Sequence, residues 1–202
     1  MKVSVIMPSH LNEYENSAKN REQKFIRAVD SFLTQTYTNS NLIVISDGCK
    51  ITRDIIREQY GHINRIKLIS IEKQPLFSGS VRQCGIDNAS GEIICYLDSD
   101  DSILPFHLEN IINGFGDMYW VYFNHTWAYP DRLYEEINTQ LLPGKIGTSS
   151  IAHKNGLASW VGCDGYGHDW KFIQKLIKAS SKNKKIDGAW YLVRHIPGKF
   201  DN

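Results

Sequence analysis

The chain has 202 residues, 42% hydrophobic and 22% charged, with 23 lysines and arginines against 22 aspartates and glutamates and a formal charge of +1. That length suits one substantial core in a single domain, and the composition argues against a disordered or membrane-resident chain. The near-neutral balance gives no bulk attraction to nucleic acid and at most peripheral contact with an anionic membrane. No apolar run approaches the roughly 18 residues of a spanning helix, and the apolar stretch within Met1–Pro8 is too short for a secretory leader. Cys49, Cys84, Cys95 and Cys163 are widely spaced with no Cys-x-x-Cys pair, so reduced thiols in a cytoplasmic protein are expected.

Taken in order, Lys2–Met7 reads as a first strand ended by Pro8, with a loop over Ser9–Glu13. Residues 14–22 are polar and read as a flexible loop. Phe25, Ile26, Val29, Phe32 and Leu33 then recur at helical spacing. Leu42–Ile45 is a second buried strand closed by Ser46-Asp47-Gly48, and a helix over 51–60 follows, ended by Gly61. Ile66–Ile71 is a third strand, 80–89 a helix, and Ile93–Leu97 a fourth strand. Strand and helix alternate four times to this point, the pattern of a parallel sheet with right-handed crossovers. A helix is expected from Pro105 to Asn113. Beyond it the pattern predicts an aromatic strand over 118–127, a β-prone run at 146–152, a helix marked by Trp170, Ile173, Leu176 and Ile177, and a last strand from Ala189 to Ile196. The expected organisation is one domain over 1–202, with a nucleotide-binding half (1–115) and a mixed half (116–202).

The fourth strand carries the chemistry. Ile93-Ile94-Cys95-Tyr96-Leu97 is apolar throughout, as a strand covered on both faces must be, and it runs directly into Asp98-Ser99-Asp100-Asp101. The acids therefore stand at its C-terminal end, the edge where open α/β sheets bind ligands. Carboxylates this close repel unless a cation or hydrogen-bond donors intervene. The competing reading is a solvated turn capping the helix near Pro105. Two further loops, 8–13 and 46–50, reach the same edge with acid or hydroxyl groups. No Gly-x-Gly-x-x-Gly and no Gly-x-x-x-x-Gly-Lys-Ser/Thr is present, so a dehydrogenase and a P-loop nucleotidase both fit poorly. A bound diphosphate would then be neutralised by a cation on Asp98 and Asp100, helped by Arg82.

The order Val3-Ser4-Val5-Ile6-Met7-Pro8-Ser9-His10-Leu11-Asn12-Glu13, Gln35-Thr36-Tyr37, Ile45-Ser46-Asp47-Gly48-Cys49, Arg82-Gln83-Cys84-Gly85-Ile86-Asp87-Asn88-Ala89-Ser90-Gly91-Glu92 and Leu97-Asp98-Ser99-Asp100-Asp101 resembles the family 2 glycosyltransferases of GT-A fold. The resemblance covers roughly residues 1–110. It then thins to Gly165-Tyr166-Gly167-His168-Asp169-Trp170, which is similar to the family's Glu-Asp pair. It implies an α/β GT-A fold, with a mostly parallel central sheet flanked by helices in a single domain. By the same resemblance, Pro8, Ser9 and Glu13 would line the nucleotide pocket, with Asp47 reading the base and Arg82 near the base or diphosphate. Asp98 would face ribose and metal, Asp100 would ligate Mn²⁺ or Mg²⁺, and Asp169 would be the catalytic base. The sequence departs from the family at Ser46 (commonly Asp), Cys49 (commonly Ser), Gln83 (commonly Asn) and His168, where the Glu of the pair is expected.

The expected activity is inverting, metal-dependent transfer of a sugar from a nucleotide-diphosphate donor, a UDP-sugar being favoured, to a hydroxyl on a glycan or glycolipid acceptor. It would serve surface or capsular glycan synthesis, in the cytoplasm or at the inner face of the membrane. The oxygen ligands suit Mn²⁺ or Mg²⁺, and one base with one cation implies single displacement. His195 is a candidate third metal ligand, against a purely structural role. Trp160, Tyr166 and His168 are candidates for the acceptor side, against core packing for the aromatics. Asp169 competes with a plain helix N-cap. Lys182, Lys184 and Lys185 read as a solvated loop. A non-catalytic nucleotide-sugar-binding module of the same fold is the alternative function.

Overall fold

The computed structural model describes every residue except Arg132 and Ala189. The first half follows the predicted alternation. Strand β1 (Val3–Ser9) leads to helix α1 (Arg21–Leu33), then β2 (Ser40–Asp47) and α2 (Lys50–Ile55), which runs into one π-helical turn over Ile56–Tyr60. Next come β3 (Ile66–Ile71), α3 (Gly79–Asp87), β4 (Ile93–Tyr96), a short β5 (Ser102–Ile103) and α4 (His107–Phe115). The second half holds β6 (Trp120–Phe123), β7 (His125–Ala128), β8 (Tyr134–Ile137), a 3-10 turn at Thr148–Ser150, β9 (Ile151–Lys154) and α5 (His168–Ala179). It closes with β10 (Asn183–Ile186), β11 (Tyr191–Val193), β12 (His195–Ile196) and β13 (Phe200–Asp201).

Seven strands form the main sheet in the order β10-β6-β9-β4-β1-β2-β3. β1 pairs in parallel with β2 and with β4, and β2 with β3. β9 runs antiparallel between β4 and β6, and β10 is parallel to β6 at the edge. The chain passes from β1 to one side and later returns to the other, so the sheet reverses its winding between β1 and β4. That reversal opens a crevice at the C-terminal ends of the strands. A second sheet, β5-β11-β7-β8, and the β12–β13 hairpin stand beside it.

The central strands are apolar on both faces because each face is covered, and their side chains alternate between two cores. Val5, Met7, Leu42, Val44, Ile93 and Cys95 pack with Phe25, Val29 and Phe32 of α1 and Leu108, Ile111 and Phe115 of α4. Ile6, Ile43, Ile45, Ile94 and Tyr96 face Val81 and Ile86 of α3 and Phe172, Ile173 and Leu176 of α5. Gly85 fixes how closely α3 lies on the sheet: a Cβ there would stand 2.5 Å from Ile6 Cγ2.

Several elements differ from the sequence reading: β5, β8 and β13 were not expected, and the β-prone run at 146–152 is a 3-10 turn at Thr148–Ser150 followed by β9 (Ile151–Lys154). The aromatic run is split at Asn124 into β6 and β7, which belong to different sheets. The basic run read as a solvated loop is the edge strand β10; its lysines stand where charge keeps an edge from pairing with another chain. The last strand divides into β11 and β12, and its expected first residue, Ala189, lies outside the described residues. No helix among the described residues is long and apolar enough to cross a membrane.

Burial pushes His107 down to about 3 and His125 and His153 down to about 4. A ring whose folded value lies below its unfolded one, about 6.5, stabilises the fold above the unfolded value and loses that contribution as pH falls toward the folded one. His107 also leaves its Nδ1 without a partner in the core. His107→Leu is therefore expected to remain within about 1 kcal/mol of the parent at pH 7. Between pH 7 and 5 it should lose about 2 kcal/mol less stability than the parent does. Urea unfolding at the two pH values measures this, and an unchanged pH slope would contradict it.

Candidate active site

The crevice is a cleft of about 750 Å³. One wall comes from the ends of β1 and β2 (Pro8, Ser9, Asp47) and the floor from Asp98, Ser99, Asp100 and Asp101 beyond β4. His168 and Asp169 at the start of α5 face it together with Gly147 and Thr148.

The three acids after β4 have separate surroundings. Asp101 is buried; its Oδ1 accepts from the Arg194 amide at 2.8 Å and its Oδ2 from the Tyr191 hydroxyl at 2.9 Å. The same hydroxyl accepts from the Asp98 amide at 2.9 Å, so β11 is clamped across the acid loop. Burial, followed by the charges of Asp100 and Asp98, raises the Asp101 carboxyl well above the usual carboxylate range. The acid turn does not cap the next helix: α4 starts after Phe106 with no side-chain cap. Asp98 stays about a third exposed and receives Arg82 Nη2 on Oδ1 at 2.9 Å. Burial raises its carboxyl, Arg82 opposes the shift and Asp100 adds to it. Asp100 is half-buried; its backbone carbonyl accepts from Arg27 while its side chain lines the cleft.

Arg82, on α3, joins the two sides of the cleft. Its Nη2 holds Asp98, its Nη1 lies 3.4 Å from His168 Nε2, and its plane lies over the Trp160 ring at 5.3 Å. Helix α5 begins two residues before the predicted apolar stripe, so Asp169 sits in its first turn and Gly167 takes the cap position. The N-cap reading of Asp169 is thereby replaced. His168 Nε2 is 2.9 Å from Asp169 Oδ1. Apart from this close contact with His168, Oδ1 is a buried acceptor with no other donor among the described residues. On the other oxygen, the Thr148 amide donates to Oδ2 at 3.4 Å. A Cβ at Gly147 would stand 3.1 Å from that oxygen, so glycine lets the 147–148 backbone come this near. Burial pulls Asp169 upward, but neighbouring His168 and the Arg82 guanidinium hold it below the usual carboxylate range. It is ionised at neutral pH.

On the opposite wall Asp47 is held by Lys73, Nζ to Oδ2 at 2.7 Å, and by the Gln74 amide to Oδ1 at 2.6 Å. Lys73 was not singled out in the sequence, although β3 pairs in register with β2 up to Asp47 and therefore delivers its following residues there. Ser46 is fully buried and donates to the Cys49 carbonyl at 2.7 Å. Gln83 supports the region behind Arg82, accepting from the Trp160 amide at 2.7 Å.

Four expected site residues are placed otherwise. Glu13 is exposed and does not line the cleft. Trp160 is fully buried: its ring stacks on Phe172 at 4.1 Å and its Nε1 donates to the Tyr96 hydroxyl, so it has no face for a sugar. Its place is under Arg82. Tyr166 is 95% exposed outside the cleft lining, and Phe77, unmarked in the sequence, stands between it and His168. His195 lines the cleft, but Nδ1 is 3.0 Å from Asp201 Oδ1 and Nε2 is 3.1 Å from the Asn16 carbonyl. With both nitrogens engaged, it has none to give a metal in this arrangement. No preassembled group of three or more His, Cys, Asp or Glu ligands occurs among the described residues. The remaining donors, Asp98 and Asp100, are carboxylate oxygens. A divalent ion that takes one or two protein carboxylates and completes its shell with water and phosphate fits such a pair.

Comparison with known proteins identifies the family and the fold. The family model for Glycosyl transferase family 2 matches residues 4–167, ending one residue before His168. The putative glycosyltransferase EpsH of Bacillus subtilis is 37% identical over 99 residues, covering 48% of this chain and 28% of that protein. The minor teichoic acid biosynthesis protein GgaB of the same organism is 29% identical over 116 residues, covering 56% of this chain and 12% of that protein. This chain thus matches less than a third of either relative's length. In structure, residues 1–349 of S. aureus TarS, solved in complex with UDP-GlcNAc, superpose with a TM-score of 0.75 at 19% identity, covering 98% of this chain and 60% of that one. The shared fold is GT-A.

The Tyr191 clamp gives a direct test of how the acid loop is held. Tyr191→Phe removes one hydroxyl but leaves the Asp98 amide and a buried Asp101 oxygen short of a partner. A loss of about 1–3 kcal/mol in urea unfolding is expected; unchanged stability would show that the clamp does not support the loop.

Proposed function

The chain belongs to Glycosyl transferase family 2, and from that premise we propose that it transfers a sugar from a nucleotide-diphosphate donor to an acceptor hydroxyl with inversion at the anomeric carbon. The observation that carries this reading is the convergence on one cleft of Pro8, Ser9, Asp47, Asp98 and Asp100 from the strand ends with an ionised Asp169 across from them. The 1–115 half would hold the donor and the 116–202 half the acceptor.

Asp47, fixed by Lys73 and Gln74, keeps acceptor capacity for an N–H of the base, while Pro8 and Ser9 shape the pocket around it. Uridine is the favoured nucleoside, since a neighbour of the same fold is solved with UDP-GlcNAc. Asp98 and Asp100 would hold Mn²⁺ or Mg²⁺, which when bound stabilises the charge that builds on the leaving diphosphate. Asp169 supplies the other half of the reaction. As the acceptor oxygen closes on the anomeric carbon its hydroxyl grows acidic, and the Asp169 carboxylate, whose side chain stays 30% exposed and lines the cleft, takes the proton. A single displacement needs no nucleophilic carboxylate on the donor side. His168 stands beside the base where an acceptor hydroxyl would arrive.

The teichoic acid role printed for one relative favours a surface or capsular glycan, or its lipid-linked precursor, as acceptor. The four thiols are all unbridged, which suits work in the cytoplasm, at most peripherally at the inner face of the membrane.

The test is release of nucleoside diphosphate from a panel of nucleotide sugars with Mn²⁺ and acceptor mixtures. Asp169→Asn is expected to cut transfer by about 10²–10⁴-fold while nucleoside diphosphate affinity stays within about twofold of the parent, as for a group that acts only on the acceptor. Full turnover in Asp169→Asn would remove the base assignment. Metal-dependent binding with no release from any donor would leave a binding module in place of an enzyme.

A further inference from the structure

Most cations that reach the cleft are committed. Arg82 is paired with Asp98 and Lys73 with Asp47, while Lys199 lies over the Trp127 ring at 4.3 Å. Arg21 stands apart. It is the first residue of α1, is only 9% exposed and lines the cleft. Its Nη2 donates to the carbonyl of His10, in the loop that leaves β1, while Nε and Nη1 have no hydrogen-bond partner among the described residues. No carboxylate among the described residues forms an ion pair with it. What covers it is the ring of Tyr14, 4.7 Å from the guanidinium carbon, on a half-exposed side chain.

A guanidinium removed from water without an anion is costly. A cation–π contact offsets only part of that, about 0.5–2 kcal/mol. The arrangement is therefore incomplete in a specific sense: two donors of fixed charge and planar geometry lie under one partly exposed ring at the edge of a cleft. Planar, charged donors match the oxygens of phosphates better than any neutral group.

We propose that Arg21 binds an oxyanion of the donor's diphosphate, with Tyr14 as the cover that turns aside when the anion enters. This rests on the donor reading above and names a residue for a charge that reading leaves unbalanced. One divalent ion on Asp98 and Asp100 meets a site already carrying two carboxylates, and Arg82 is spent on Asp98 and the base side. Arg21 is tied to the β1 loop through His10, on the same wall as Pro8 and Ser9. That position favours the donor's diphosphate over a phosphate carried by the acceptor.

Calorimetric titration of the parent, Arg21→Gln and Arg21→Lys with UDP and with uridine, each with and without Mn²⁺, tests the proposal. Arg21→Gln should weaken UDP binding by about 10- to 100-fold, the worth of a charged hydrogen bond, and leave uridine affinity within about twofold. Arg21→Lys, which retains the charge without the planar fork, should recover part of the loss. Equal loss of UDP and uridine affinity would assign Arg21 a structural role and overturn the proposal. So would unchanged UDP affinity, including the case in which Arg21→Gln raises only the acceptor's KM. If the parent binds none of UDP, GDP or CDP, the donor reading itself falls and this proposal with it; a parent that binds UDP beside an Arg21→Gln that binds it equally well overturns the proposal alone.

Discussion

Arg82 is the interaction on which the site depends. It reaches Asp98 at 2.9 Å on the strand side and His168 at 3.4 Å on the helix side, and it rests on a tryptophan with no exposed surface. That cation opposes the upward pull of burial on the carboxyls of both Asp98 and Asp169. With it, the two outcomes separate. Asp98 is raised because burial outweighs the single pairing, whereas Asp169 is lowered because Arg82 and His168 act on it together. Carboxylates in one cleft are thereby shifted in opposite directions by their surroundings.

The placement of those carboxylates follows from the sheet. β1, β2 and β4 are parallel neighbours and end at one edge, so loops distant in sequence arrive together without any local signal linking them. The second half then completes the site from short strands and one amphipathic helix. β9 inserts antiparallel beside β4, α5 brings Asp169 to the opposite wall, and Tyr191 reaches back to tie the acid loop at two points. The acid loop is short and like-charged. It holds its shape because the Asp101 carboxyl is drawn into the protein by two donors, leaving Asp98 and Asp100 on the cleft side.

What the sequence made legible follows the same division. Buried parallel strands announce themselves as largely apolar runs, and β1 through β4 stand where Lys2–Met7, Leu42–Ile45, Ile66–Ile71 and Ile93–Leu97 put them. Polar residues at their ends could be placed by strand direction alone, as Asp47, Asp98 and Asp100 were. Residues whose role depends on a tertiary neighbour could not. Trp160 looks like an acceptor platform until Phe172 is seen stacked on it, and His195 looks like a ligand until Asp201 and Asn16 occupy its nitrogens. Arg21 was hidden in a polar stretch that reads as loop, because nothing in composition distinguishes a buried guanidinium from a solvated one. Lys182, Lys184 and Lys185 carried the signature of a solvated loop and proved to flank and form an edge strand, where backbone pairing on one side and charge on the other are compatible.

The central claim is that the acids beyond β4 serve a diphosphate through a divalent ion. Its most direct measurement is the affinity of the parent protein and of Asp100→Ala for UDP, by calorimetry, as a function of Mn²⁺. The account predicts that Mn²⁺ tightens UDP binding to the parent by at least about tenfold, roughly 1.4 kcal/mol, and that Asp100→Ala binds UDP weakly whether or not the ion is present. UDP affinity that is independent of Mn²⁺ in the parent, or a metal effect that survives in Asp100→Ala, would contradict it.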